Sequence, residues 1–117
     1  MRSYVIFDDI DASVEQVSAE FVIDCGQDMR WLAQFELIGG NGEPKICVEE
    51  TIAHQGRKIW TTIPNYGDDD GLFPINKEFI GIRDSYFMGR IIRFTYIPST
   101  NSTGTIYGQL AEKTKSG

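Results

Sequence analysis

The stretch Met29-Arg30-Trp31-Leu32-Ala33-Gln34-Phe35-Glu36-Leu37 decides the fold class. Its odd positions read Met29, Trp31, Ala33, Phe35 and Leu37, its even ones include Arg30, Gln34 and Glu36, and Leu32 is the only clear violation. Successive side chains of a strand point to opposite faces, so this pattern belongs to a half-buried strand with one apolar and one wet side. Residues 90–97 repeat it, with Ile92, Phe94 and Tyr96 alternating against Arg93 and Thr95.

Working outward from these two segments, shorter runs rich in β-branched or aromatic residues occur at 4–7, 19–25, 46–52, 58–63, 79–82 and 105–111. Gly39-Gly40-Asn41-Gly42 joins the third run to the fourth, since glycine and asparagine accept the positive φ that tight hairpins demand. His54-Gln55-Gly56 joins the fourth to the fifth in the same manner, residues 65–74 form a longer loop, and residues 99–104 close a last hairpin. Residues 11–20 have room for one helical turn at most, with Ser13 and Gln16 at capping-box spacing but only Val14 and Val17 on an apolar face. The sequence therefore predicts an all-β domain, a two-sheet antiparallel β-sandwich of jelly-roll type with about eight strands. Its expected core is Phe21, Ile23, Trp31, Phe35, Leu37, Ile46, Val48, Ile92, Phe94, Tyr96 and Leu110.

Composition sets the limits. A chain of 117 residues that is 41% hydrophobic and 12% aromatic suits one self-supporting core, so residues 19–117 are read as the sandwich, and residues 1–18 as an N-terminal arm or edge strand. The longest apolar stretches fall far short of a membrane span, and the start lacks the apolar core of a secretory signal, so the expectation is a soluble chain with no membrane partner. A net charge of −6 argues against a surface that tracks phosphates, and nucleic acid is not an expected partner. The charge is uneven: Asp8, Asp9, Asp11, Glu15, Glu20 and Asp24 crowd the first residues, and Lys113 and Lys115 stand near the end.

Chemistry-bearing residues are sparse. Cys25 and Cys47 lie outside any CxxC or His-rich cluster, each in or beside an apolar run where a thiol packs as a small hydrophobe. His54 is the sole histidine and falls in a turn, and no nucleophile elbow, HExxH or glycine-rich phosphate loop occurs. The expectation is no enzyme and no cofactor. Asp68, Asp69 and Asp70 are the densest carboxylates, a weak calcium candidate because the spacing lacks the alternating pattern and distal glutamate of an EF-hand. Trp60, Tyr66, Phe73, Tyr86 and Phe87 gather around or after that loop, as contacts for a glycan or a protein partner or as core packing.

Two stretches carry a resemblance. Ile46-Cys47-Val48-Glu49-Glu50-Thr51, a turn at Gly56, and Ile59-Trp60-Thr61-Thr62-Ile63-Pro64 resemble a hairpin of discoidin-like and carbohydrate-binding jelly rolls. Residues 89–98 resemble their penultimate strand and residues 104–113 their last. The same half looks like small β-sandwich proteins of tailed-bacteriophage particles, in which a Tyr-x-Pro turn and a closing Gly-Thr-rich strand recur. His54-Gln55-Gly56, where the glycan-binding pattern has an aspartate-glycine turn, favours the second likeness. What it implies is a non-enzymatic structural protein of a virion, assembled in the host cytoplasm as a capsid decoration, neck, tail or fibre component. Its implied partners are other virion proteins and itself, as a homo-oligomer. A glycan-binding module and an intracellular adaptor or inhibitor are the alternatives, since sandwich folds host many functions. Tyr4, Val5, Ile6 and Phe7 form a short apolar run before an acidic stretch, either an assembly arm laid on a neighbour or the domain's own edge strand.

Overall fold

The computed structural model describes residues 2–22, 29–62, 72–75, 80–83 and 91–114. Ten strands occur among them: β1 (Arg2–Asp11), β2 (Gln16–Val17), β3 (Phe21–Val22), β4 (Met29–Ile38), β5 (Lys45–Thr51), β6 (Thr61–Thr62), β7 (Leu72–Pro74), β8 (Ile80–Arg83), β9 (Ile91–Ile97) and β10 (Thr105–Thr114). The only helical piece described is a single 3-10 turn at His54–Gly56. All pairings are antiparallel, and the strands form a four-stranded sheet in the order β1-β10-β4-β8 and a six-stranded sheet with the path β2-β9-β5-β6.

The six-stranded sheet reduces to four strand positions. β2 and β3 both pair with β9, and between them the Ser18 amide donates to the Phe94 carbonyl at 2.8 Å while the Ser18 hydroxyl accepts from the Phe94 amide at 2.9 Å. They are one strand interrupted at Ser18. β6 and β7 likewise share the far side of β5. The two sheets then run first-last-third-sixth and second-seventh-fourth-fifth, which is the jelly roll of eight strands.

Connectivity corrects two expected hairpins. β4 and β5 lie in different sheets, as do β9 and β10, so the segments after Ile38 and after Ile97 arch across the sandwich instead of joining neighbours. Glycine-rich turn chemistry specifies a chain reversal, and it leaves open whether the next strand pairs with the last or crosses to the other sheet. The β5–β6 turn is a true hairpin. The end of the expected 65–74 loop is strand β7. In the 11–20 segment a hydrogen-bonded turn, with the Val14 amide donating to the Asp11 carbonyl at 3.3 Å, leads directly into β2.

The core lies between the sheets. Trp31, Ala33, Phe35 and Leu37 of β4 are buried while Gln34 and Glu36 face outward, and β9 buries Ile92, Phe94 and Tyr96 in strict alternation. Phe94 is the hub, its ring 5.5 Å from Phe35 and 6.1 Å from both Phe21 and Trp31. Each such side chain contributes on the order of 1.5–3 kcal/mol of burial free energy. Of the expected core, every member within the described residues is buried; Ile23 lies outside them. Ile6, Phe7, Ala12, Ala33, Phe73, Ile75 and Ile106 complete the cluster. Gly108 of β10 packs against Phe35, whose ring would meet a Cβ there at 2.7 Å.

The Tyr4 to Phe7 run sits in β1, the edge strand of the chain's own four-stranded sheet. Irregular register after Val5 and after Phe7 lets Ile6 and Phe7 both turn inward, into the same core cluster as Phe35 and Phe94. Tyr4 is half-buried with its ring 5.6 Å from that of Phe21, and Val5 is exposed.

Candidate functional site

The outer face of the six-stranded sheet is set by register. Glu49 of β5 stands opposite Arg93 of β9, and Cys47 opposite Thr95. Being directly opposed, the first pair meets: the Arg93 guanidinium donates to both Glu49 carboxylate oxygens, at 3.1 and 3.4 Å, and the Thr95 hydroxyl donates to the same carboxylate at 2.9 Å. The half-buried Trp60 ring lies against the other side of this assembly, with the Arg93 guanidinium carbon 4.1 Å from the ring centroid.

Trp60, in the return arm of the β5–β6 hairpin, thus reaches across β5 to a residue of β9. Lys58 reaches further, its ammonium 2.7 Å from the Glu20 carboxylate beside β3. Both side chains of this ion pair are about two-fifths exposed (43% and 41%), so it locates the hairpin more than it stabilises it. Beneath the hairpin Thr51 is only 3% exposed, and its hydroxyl accepts a hydrogen bond from the Ala53 amide at 3.2 Å.

The hairpin tip is strained. Ala53 and Gln55 both hold φ near +50° (53° and 52°), a left-handed conformation that costs residues with a Cβ roughly 1–2 kcal/mol each. The turn leaves Ile52 66% and Ile59 79% exposed. With Glu50, Thr51, His54, Arg57 and Thr61 they line an open cleft of about 460 Å³. Val22, 69% exposed, stands on the same outer face at the opposite edge of the sheet. Apolar side chains presented this openly around a Trp–Arg stack are suited to recognition of a macromolecular surface, where Trp and Arg contribute disproportionately.

The sequence-predicted residues scatter over the molecule. Trp60 belongs to this face. Phe73 does not: it sits in β7 opposite Ile46, 9% exposed, and packs in the core. Tyr66, Tyr86, Phe87 and the aspartates Asp68, Asp69 and Asp70 lie outside the described residues, as does Cys25. Cys47 is buried in β5 with its sulfur 3.7 Å from the Thr62 hydroxyl oxygen. His54 is exposed in the turn. Among the described residues no three His, Cys, Asp or Glu side chains are grouped to hold a metal ion, and no helix is long and apolar enough to cross a membrane. The Arg93–Glu49 pair has no signature in the sequence, because the partner of an outward-facing charge is invisible until the β5–β9 register is known.

No family model matches the chain, and no curated protein matches it. A solved structure described as "Bacillus endospore appendages form a novel family of disulfide-linked pili" is similar to it with a TM-score of 0.47 and 12% identity, covering 97% of this chain and 87% of that one. A likeness of that degree identifies neither the ancestry nor the activity of the chain.

Proposed function

We propose that the chain is a non-enzymatic structural subunit that works through protein–protein contacts, made by the hairpin end of its six-stranded sheet. The observation that carries this reading is the β5–β6 hairpin, which holds Ile52 and Ile59 into solvent at 66% and 79% exposure on a strained turn. Two isoleucines held outward at a conformational cost are a poor use of apolar residues in an isolated domain. The finer reading places the subunit in a bacteriophage particle, as a capsid decoration, neck, tail or fibre protein. Its support is the resemblance of residues 46–113 to sandwich proteins of tailed phages.

The test is the solution mass of the full chain by light scattering, with Ile52→Ser/Ile59→Ser beside wild type. The expected result is an assembly for wild type and a smaller species with an unchanged melting temperature for the variant. A variant that assembles as wild type does would overturn the role given to the hairpin. Mass spectrometry of purified virions from the source tests the finer reading: the chain among the particle proteins supports it, and its absence removes the phage assignment alone. A glycan array is the third arm, where saturable binding lost in Trp60→Ala would replace the structural reading with a glycan-binding one.

A further inference from the structure

Resting on that reading, we infer that the hairpin end of one copy receives the acidic loop end of a second copy, so that the chain associates with itself head to tail. Strand direction separates the two surfaces. β5 runs from Lys45 to Thr51 into the hairpin, and β1 runs the opposite way along the sandwich, from Arg2 to Asp11. Asp11 pairs with Thr105, which pairs with Ile38, and the Ala12 amide donates to the Gly104 carbonyl at 3.0 Å. The β1–β2 turn is therefore packed beside the loops after β4 and β9, at the end remote from the hairpin.

The charges of the two ends differ: one is strongly acidic and the other carries an exposed arginine. Toward the loop end Asp8, Asp9, Asp11, Glu15 and Glu43 are all exposed. Exposed Val14 and Ile38 stand among them. At the hairpin end exposed His54 and Arg57, with the half-buried Glu50 beside them, border the cleft that Ile52 and Ile59 flank. One end thus offers isoleucines with the exposed Arg57 guanidinium and a single half-buried carboxylate, Glu50, beside them, and the other offers apolar side chains ringed by five exposed carboxylates. Like ends would bring carboxylates against carboxylates, which disfavours a two-fold contact between loop ends.

The edge of β1 is a weaker candidate for the same job. A template for strand addition needs a regular edge, and β1 is bulged twice and carries Asp8 and Asp9, the latter at φ 51°. Bulges and charges of this kind guard an edge against pairing. A contact between unlike ends leaves one end of each kind unused in every dimer, so it continues into a ring or an open filament.

The experiment uses two full-length variants, each checked for an unchanged β-sheet spectrum and melting temperature. Arg57→Ser/Ile59→Ser damages the hairpin end, and Val14→Lys/Glu15→Lys damages the loop end. By sedimentation, wild type should form multimers that dissociate as salt rises, because the attraction between exposed charges is screened. Each variant alone should be monomeric. Their equimolar mixture should give a dimer and nothing larger, since one intact hairpin end meets one intact loop end and both outer ends are blocked. A monomeric wild type, or a mixture that stays monomeric, overturns the head-to-tail contact. If the hairpin variant is monomeric while the loop variant assembles as wild type does, the hairpin keeps its role in protein contacts and the acidic partner is wrong. If both variants assemble like wild type, both proposals fall.

Discussion

At one end of the sandwich the loops after β4 and β9 lock onto each other; at the other the β5–β6 hairpin, though tied to the sheet through Trp60 and Lys58, leaves its isoleucines in water. The locked end is built from small residues at short range. The Thr103 amide donates to the Asn41 carbonyl at 2.9 Å, the Asn41 amide to the Thr103 hydroxyl at 3.0 Å, and the Glu43 amide to the Ser99 hydroxyl at 3.0 Å. A Cβ on Gly40 would lie 1.8 Å from the Thr103 carbonyl oxygen. The hairpin end inverts each of these features, with Ala53 and Gln55 in left-handed conformations and large apolar side chains left uncovered. Backbone approaches backbone at the clasped end, and the proposed contact surface lies where residues with a Cβ hold left-handed conformations.

The largest test of that contrast is Gly40→Val. The substituent meets backbone atoms on both Thr103 and Gly104, which cannot rotate away as a side chain would, so the two loops must separate. The expected loss is more than about 3 kcal/mol, read as a fall in the urea midpoint. A loss under about 1 kcal/mol would mean that the clasp is dispensable.

Tyr96 comes next, because it ties the core of β9 to the same end. Its hydroxyl donates to the Ala12 carbonyl at 2.7 Å, and burial pushes its pKa upward. Since the folded protein favours the neutral phenol, this contribution is complete below the unfolded pKa of about 10 and is lost as pH rises from there through the folded value. Tyr96→Phe should cost roughly 1–3 kcal/mol at neutral pH by leaving that carbonyl unsatisfied. Above pH of about 10 the difference from wild type should narrow, as the native phenol comes under pressure to ionise. A constant difference across the alkaline range would contradict the buried phenol.

How much of this was legible in the sequence depends on whether the signal is local. β4 and β9 announce themselves because Trp31, Phe35 and Leu37, and Ile92, Phe94 and Tyr96, alternate within a few residues. Ile6 and Phe7 break alternation through a bulge, so their joint burial has no local signature. Ala12, Ala33 and Gly108 are buried, yet small residues carry no hydrophobic emphasis in a sequence. The Gly40–Thr103 approach and the Arg93–Glu49 pair join residues far apart in the chain, and only the pairing of strands brings them together. Turn chemistry located the loops of the clasped end and gave no hint that they clasp each other.

Ala53→Gly sharpens the comparison from the other side. Glycine accepts φ near +53° without the Cβ conflict, so this substitution should stabilise by about 0.5–1 kcal/mol, against the usual direction for glycine. A destabilisation of that size would show that the hairpin is not strained. Asp11→Asn probes the loop end more gently. The Asp11 carboxylate accepts from the Ser13 amide at 2.9 Å and the Ser13 hydroxyl at 2.7 Å, which lowers its pKa. The stabilisation is present above the unfolded value of about 4 and is lost as pH falls through the lowered folded value. Melting temperatures of wild type and variant should therefore differ slightly at neutral pH and converge in acid.

The smallest expected effect on stability belongs to Ile52→Ser/Ile59→Ser, and it separates the two ends most cleanly. In a buried strand, replacing two isoleucines would remove several kcal/mol, of the order of 2–5 for each large-to-small change. Here the side chains are 66% and 79% exposed, and the pair ion-linking the hairpin to the sheet is Lys58 with Glu20, which the substitutions leave in place. Both substitutions leave the left-handed residues Ala53 and Gln55 in place, and changes at side chains this exposed usually stay within about 0.5 kcal/mol. The double variant should therefore melt as wild type does, and solubility should rise as apolar area is removed. A shift of more than about 2 kcal/mol would mean that Ile52 and Ile59 are covered in the native monomer. The contrast between a stabilising end and a binding end would then collapse, because the hairpin would belong to the core it was thought to stand clear of.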